Sequence, residues 1–158
     1  MKKLLLIRHA KATHETGFID FERPLQESGL KDAAIMAARL KEKGLIPQML
    51  VASPALRTVS TANVFSQHLT VPHPQTNRAI YEATQLELVK VINELPDSHN
   101  FIALVGHNPG MADVLYYLTG QLQDVPTCAI MLIEFDTDSW PEIIEDSGKL
   151  TYYDYPKS

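Results

Sequence analysis

The 158-residue sequence contains a single cysteine and no long hydrophobic run, and both shortages exclude classes of protein. With Cys128 alone, the chain can form neither an internal disulfide nor a cysteine-ligated zinc site. No stretch approaches the length of a transmembrane helix. Near the N-terminus two lysines precede an apolar run at residues 4–7, which is too short for the hydrophobic core of a signal peptide. We therefore expect a cytoplasmic protein that does not bind membranes.

The sequence also lacks an excess of basic residues. Its 14 Lys and Arg residues against 19 Asp and Glu residues give a net charge of -5, which argues against a nucleic-acid-binding surface. An anion-binding site in such a chain has to be a local basic pocket. Hydrophobic residues make up 45% of the sequence and charged residues 21%, as is usual for a globular protein, and the length predicts one domain over residues 1–158.

Short apolar strands alternate with amphipathic helices along the chain. The pattern predicts strands at residues 4–7, 48–52, 101–105 and 128–135, and helices at residues 28–43, 54–69, 84–95 and 111–118. Segment 13–27 reads as a loop, 71–80 as a connection that can end in a short strand, and 149–155 as an edge strand antiparallel to its neighbour. This alternation predicts an α/β protein with a mostly parallel sheet, whose strand order stays open.

Three of the predicted strands end in residues suited to binding an anion. The first strand leads into Arg8 and His9, the second into Ser53 and Arg57, and the third into His107. The carboxyl ends of parallel strands lie at one edge of a sheet, where such folds bind ligands. We therefore expect two arginines and two histidines to converge there. Ser53 and the proline after it are also expected to cap and open the helix at residues 54–69.

Two arginines and two histidines suit phosphoryl transfer better than metal binding. Arginine is permanently charged and presents a planar fork of donors to phosphate oxygens. A neutral imidazole can attack phosphorus, and a second histidine can donate to the phosphoryl oxygens. Two arginines beside a divalent cation are electrostatically unfavourable, and the sequence contains neither an H-x-x-x-H motif nor a P-loop. We expect no metal and no cofactor. Cys128 lies in an apolar run and is expected to be a core residue.

The ordered set of motifs resembles the histidine phosphatase superfamily, which includes the cofactor-dependent phosphoglycerate mutases. The resemblance rests on Arg8-His9, on the segments 53–58 and 106–109, and on their spacing along nearly the whole chain. The short length and Arg23-Pro24-Leu25 followed by Gly29 are most similar to the SixA-type phosphohistidine phosphatases. The superfamily has glycine after the Arg-His pair, where this chain has Ala10. The resemblance implies a three-layer α/β/α, phosphoglycerate mutase-like fold.

The resemblance also implies roles for individual residues. His9 would be the nucleophile, and Arg8, Arg57 and His107 would bind the phosphoryl group. Arg23 would line the entrance. Glu82 lies where the superfamily often places its general acid; alternatively, it is a first-turn glutamate favoured by the helix dipole.

The implied reaction is phosphate hydrolysis through a phosphohistidine intermediate. Its substrate is either phosphohistidine in a protein or a small phosphate ester. The alternative from another class is a binding module that recognises phosphate without turnover. A mutase is disfavoured, because the chain lacks the extra length expected of one. With one modest loop between His9 and the helix at residue 28, we expect a shallow site that favours a phosphohistidine protein.

The remaining histidines and aromatic residues match no motif. We expect surface or loop positions for His14, His68, His73 and His99. The expected packing residues are Tyr81, Tyr116, Tyr117, Tyr152, Tyr153 and Trp140.

Overall fold

A computed structural model describes residues 1–157, which form a six-stranded sheet with helices on both faces. The strands are β1 Lys2–Arg8, β2 Met49–Ala52, β3 Gln75–Thr76, β4 Phe101–Gly106, β5 Ile130–Phe135 and β6 Gly148–Asp154. Their order across the sheet is β3-β2-β4-β1-β5-β6.

The four strands on one side of the sheet are parallel, β5 runs in the opposite direction, and β6 runs in the same direction as β1. β3, β2, β4 and β1 pair in parallel, whereas β5 is antiparallel to β1 and β6 is antiparallel to β5. The antiparallel edge strand confirms the prediction for residues 149–155. β1 lies between two strands and under helices on both faces. This position explains why its apolar residues 4–7 are completely buried.

The helices form two layers that sandwich the sheet. They are α1 Glu27–Glu42, α2 Leu56–Leu69, α3 Gln85–Asn93 and α4 Gly110–Thr119. α1 and α2 pack on the face that carries Leu5 and Ile7, and α3 and α4 pack on the face that carries Leu4 and Leu6. Successive side chains of a strand point to opposite faces, so β1 contributes to both cores. The predicted three-layer α/β/α fold is confirmed.

The start of α2 differs from the prediction. Ala55 is its N-cap residue, and the helix begins at Leu56 rather than at residue 54. The prediction that Ser53 caps the helix and that the following proline opens it was wrong by two residues. The Ser53 hydroxyl accepts a hydrogen bond from the Ala55 amide at 3.3 Å. Its oxygen also lies 2.8 Å from Nε2 of His107, the residue that follows β4.

Two connections contain 3-10 helices that the sequence did not indicate, and one of them also contains a short strand, as predicted. Segment 71–80 contains the two-residue strand β3 and a 3-10 helix at Arg78–Ile80, and the loop at 13–27 contains a 3-10 helix at Asp20–Glu22.

β5 begins at Ile130, because Cys128 adopts a left-handed turn with a φ of 61°. Cys128 is buried, as predicted. Within residues 1–157, the helices are too short or too polar to cross a bilayer.

Candidate active site

The sheet brings the ends of β1, β2 and β4 to one edge. These strands are adjacent and parallel, and Arg8 is in register with Gly106. His9 follows β1 directly and His107 follows β4, so that their ring centroids are 5.4 Å apart. Arg57 reaches the same place from the first turn of α2. A cavity of about 620 Å³ is lined by Arg8, His9, Arg57, His107 and Arg23, among other residues.

His9 is held in one orientation at the floor of this cavity. His9 is buried, with a relative exposure to solvent of 7%. The ring nitrogen Nδ1 lies 2.8 Å from the carbonyl oxygen of Ala10. A carbonyl oxygen can only accept a hydrogen bond, so Nδ1 carries the proton and Nε2 of the neutral ring keeps its lone pair. Ala10 provides this contact without a left-handed backbone, so glycine is not required at this position.

The environment keeps His9 neutral. Its pKa is lowered to about 4: burial is the largest cause, the hydrogen bond to Ala10 opposes it, and the positive charges of Arg57, Arg8 and Arg23 act in the same direction as burial. The sequence indicated the effect of Arg8 and Arg57. It did not reveal that burial is the largest cause, because burial depends on the tertiary structure.

His107 is neutral for the same main reason. Burial is the largest cause that lowers its pKa to about 3, followed by the charges of Arg57 and His9. Its Nε2 lies 2.8 Å from the hydroxyl oxygen of Ser53. Its Nδ1 is buried and has no hydrogen-bond partner among the described residues.

The two central arginines are each anchored at their terminal nitrogens. Nη1 of Arg8 donates to the carbonyl of Val125 at 2.8 Å. Arg57 donates from Nη1 to the carbonyl of Asp20 at 2.7 Å and from Nη2 to the Asp20 carboxylate at 3.0 Å. In both arginines Nε is buried and unpaired within residues 1–157. Buried donors without a partner are costly, and an anion with several acceptor oxygens can satisfy them.

Asp20 is a site residue that the sequence did not reveal. Its carboxylate accepts hydrogen bonds from Arg57, from Nε of Arg23 at 3.2 Å and from the hydroxyl of Tyr81 at 2.7 Å. The Tyr81 hydrogen bond is the largest cause of a lowered Asp20 pKa. The ring of Tyr81 also lies edge-on to His107, with centroids 5.6 Å apart. Tyr81 therefore does more than pack, and the loop at 13–27 forms one wall of the site.

Arg23, which the family resemblance places at the entrance, lines the cavity. Its Nη1 donates to the carbonyl of Thr13 at 3.1 Å and lies 3.3 Å from Nδ1 of His14. His14 was predicted to be a loop histidine without a role; it is exposed and lies in the loop, but it also lines the cavity. His68 and His73 are exposed away from the cavity lining.

Glu82 borders a neighbouring cavity of about 560 Å³, which shares Asp20, Arg57 and His107 with the first. It is exposed, has a left-handed backbone with a φ of 54°, and lies two residues before Thr84, the N-cap of α3. It is not in the first helical turn, so the helix-dipole alternative was wrong; the first-turn glutamate is Glu87.

No group of three or more His, Cys, Asp or Glu side chains in the described part of the chain is arranged to hold a metal ion.

The lowered pKa values of the two histidines predict how stability depends on pH. An unfolded histidine has a pKa of about 6.5, whereas the folded values are about 4 for His9 and about 3 for His107. As the pH falls below the unfolded value, the unfolded chain takes up protons that the folded chain does not. The full stability is therefore present above that pH and is lost as the pH falls toward the folded values, by at most about 1.4 kcal/mol per pH unit for each histidine.

Denaturant unfolding across this pH window tests the prediction. In His9→Gln the free energy of unfolding is expected to fall less steeply with acidification than in the wild type. The difference between the two slopes should approach the uptake of one proton, about 1.4 kcal/mol per pH unit. The carboxylates titrate in both proteins, so the difference in slope isolates the histidine. His68→Gln, which changes an exposed histidine on α2, is the control and should keep the wild-type slope. Parallel curves for wild type and His9→Gln would contradict the assignment of a buried neutral His9.

Comparison with known proteins identifies the family of the chain. The family model described as the histidine phosphatase superfamily (branch 1) matches residues 4–84. An uncharacterized chloroplastic protein of Arabidopsis thaliana is 28% identical over 93% of this chain and 72% of its own length.

Solved structures share the fold. The protein assigned as phosphohistidine phosphatase SixA from Agrobacterium tumefaciens superposes with a TM-score of 0.83 at 22% identity, covering 96% of both chains. The protein histidine phosphatase SixA complexed with tungstate superposes with a TM-score of 0.81 at 20% identity, covering 98% of this chain and 97% of that one. The chain therefore has the phosphoglycerate mutase-like α/β fold of these proteins.

Proposed function

Because the chain belongs to the histidine phosphatase superfamily, we propose that it is a metal-independent phosphatase that forms a covalent intermediate on His9. One observation carries this proposal. A buried, neutral His9 has its Nδ1 proton held by Ala10, which leaves Nε2 as a nucleophile in a cavity lined by Arg8, Arg57 and His107. All the groups that phosphoryl transfer requires for attack and charge stabilisation are then present on the chain itself.

The reaction proceeds in two displacements. In the first, the Nε2 lone pair of His9 attacks phosphorus, the N–P bond forms, and the bond to the leaving group breaks as the leaving atom takes a proton from Glu82 or from solvent water. The charged arginines Arg8 and Arg57 and the donor His107 pair with the phosphoryl oxygens. In the second, a water oxygen attacks phosphorus and gives a proton to the Glu82 carboxylate or to solvent water, the N–P bond breaks, and inorganic phosphate leaves with His9 neutral again.

The favoured substrate class is phosphohistidine in a protein. A phosphohistidine leaving group needs less protonation than an alkoxide, and the candidate acid Glu82 is solvent-exposed rather than enclosed. Exposed rim residues such as Lys11 and His14 line the cavity, which suits a side chain presented by a macromolecule. The shared fold with proteins described as SixA phosphohistidine phosphatases favours the same class. A small phosphate ester is the second candidate, since the cavity of about 620 Å³ also has room for one.

A substrate screen in EDTA tests the proposal. Phosphohistidine-bearing proteins and small phosphate esters are compared for kcat/KM, with His9→Ala as the control for contaminating activity. We expect turnover of p-nitrophenyl phosphate without metal and a higher kcat/KM for a phosphohistidine protein than for any sugar phosphate. A large preference for a small ester would overturn the protein substrate. Binding of phosphate without turnover of any compound would overturn the phosphatase in favour of a phosphate-binding module.

Glu82 is the proposed general acid for alkyl esters. Glu82→Gln removes the proton donor, so we expect kcat for an alkyl phosphate to fall on the order of tenfold or more. Phosphohistidine and nitrophenyl phosphate have better leaving groups, so their rates should change little. The matched control is Glu87→Gln, because Glu87 is a nearby exposed glutamate used in the capping box of α3. Small and equal effects of Glu82→Gln on all three substrates would assign Glu82 a structural role.

A further inference from the structure

Ser53 lies completely buried between the end of β2 and the start of α2. Its backbone amide donates to the carbonyl of Val105 at 3.1 Å, which fixes it against β4. Its hydroxyl oxygen has two contacts in residues 1–157: the Ala55 amide at 3.3 Å and Nε2 of His107 at 2.8 Å. Ser53 therefore connects the start of α2 with a histidine that lines the phosphoryl site.

The hydrogen count at this hydroxyl decides the direction of the bond to His107. The amide of Ala55 can only donate, so it occupies one lone pair of the Ser53 oxygen. If Nε2 of His107 also donated, the hydroxyl hydrogen of Ser53 would be buried without an acceptor, which costs the desolvation of that group. If Ser53 instead donates to Nε2, every polar atom of this contact is satisfied.

We propose that Ser53 is a positioning residue that donates to Nε2 of His107 and thereby keeps the proton of the neutral ring on Nδ1. Within residues 1–157 that Nδ1 is buried and has no hydrogen-bond partner, and His107 lines the cavity, so we assign its N–H to a phosphoryl oxygen. The tautomer follows from the contacts of Ser53, whereas the use of the N–H by substrate rests on the proposed phosphatase function.

This arrangement gives the two histidines of the site different tasks. In His9 the carbonyl of Ala10 engages the N–H of Nδ1 and leaves a lone pair for attack. In His107 the hydroxyl of Ser53 engages the lone pair of Nε2 and leaves an N–H for donation. The opposite tautomer of His107 would direct a lone pair at negatively charged oxygens and repel them. Neither ring needs a positive charge for its task, in agreement with the lowered pKa values of both.

Nitrogen-15 NMR of the protein at neutral pH reads the tautomer directly. In a long-range proton–nitrogen correlation spectrum, His107 of the wild type should show a protonated, pyrrole-type Nδ1 and an unprotonated, pyridine-type Nε2. The His107→Gln protein assigns the signals. In Ser53→Ala the Nε2-protonated form should become substantially populated. A wild-type spectrum with the proton on Nε2 overturns the proposal, as does an unchanged His107 tautomer in Ser53→Ala.

Binding of tungstate, a tetrahedral oxyanion, tests the donor role without relying on turnover. Loss of one fixed donor should weaken tungstate binding and lower kcat/KM by about tenfold in Ser53→Ala. Ser53→Cys, which nearly preserves the volume and keeps a weak donor, should fall between Ser53→Ala and the wild type. Ser66→Ala is the matched control, because Ser66 is a buried serine of α2 whose hydroxyl donates to the carbonyls of Val71 and Pro72.

Ser66→Ala is expected to lose stability and keep wild-type tungstate affinity and kinetics. Equal tungstate affinity in Ser53→Ala and the wild type would overturn the positioning role. Failure of the phosphatase assays would be a separate result, because neither the spectrum nor tungstate binding requires catalysis.

Discussion

The His9→Ala protein is expected to lose about a thousandfold or more of the wild-type kcat/KM on every phosphorylated substrate. In the proposed mechanism the substitution removes the nucleophilic atom, and the remaining donors can stabilise charge but cannot replace a nucleophile. Initial rates on p-nitrophenyl phosphate and on a phosphohistidine protein, both in EDTA, measure the loss. Tungstate should still bind, because Arg8, Arg57 and His107 remain.

Two controls accompany this experiment. His68→Ala removes an exposed histidine of α2 away from the cavity and should retain wild-type rates. The thermal midpoint of His9→Ala shows that the protein is folded. A folded His9→Ala protein with kcat/KM within tenfold of the wild type, with p-nitrophenyl phosphate as substrate, would contradict the nucleophile assignment.

Arg57→Gln is expected to cost on the order of a hundredfold to a thousandfold in kcat/KM, the second largest effect. The side chain of Arg57 is 7% exposed, its Nε–H has no hydrogen-bond partner within residues 1–157, and its terminal nitrogens are anchored by Asp20. Glutamine removes the charge and most of the donors while keeping a polar side chain. Steady-state kinetics and the inhibition constant of inorganic phosphate should both show the loss.

Arg57→Lys distinguishes charge from geometry. Lysine keeps the positive charge but cannot contact Asp20 and a phosphoryl group with one planar fork, so we expect most of the loss to persist. Arg39→Gln is the control, since Arg39 is an arginine of α1 that pairs with Asp154 at 3.0 Å near the C-terminus. That variant should lose stability and keep its activity. Wild-type rates in Arg57→Lys would show that a positive charge alone is sufficient.

The placement of the candidate residues followed from local sequence signals. The apolar run at residues 4–7 had the length and composition of a strand buried on both faces, and β1 is such a strand. The carboxyl ends of parallel strands share one edge, so motifs at three strand ends were expected to converge. The adjacency of β2, β4 and β1 in the sheet brings them together. The direction of β5 did not follow, because an apolar run is the same in parallel and antiparallel pairing.

Residues whose partners are distant in sequence could not be predicted. Asp20 and Tyr81 are 61 positions apart, and their hydrogen bond exists only because the loop and the segment before α3 meet at the sheet edge. For Ser53 the local preference for a helix cap was a sound rule, but a contact with His107, 54 positions away, takes precedence in the structure. The size of the histidine pKa shifts likewise depends on burial, which no local pattern specifies.

Mapping the phosphorylated intermediate tests the central claim most directly. The protein is mixed with a phosphorus-32-labelled substrate in EDTA, quenched in alkaline denaturant to preserve a phosphoramidate, and digested at alkaline pH for peptide mapping. The label should reside on His9, resist base and be lost in acid, and it should be absent from the His9→Ala protein. Label on His107, or label retained by the His9→Ala protein, would contradict the mechanism.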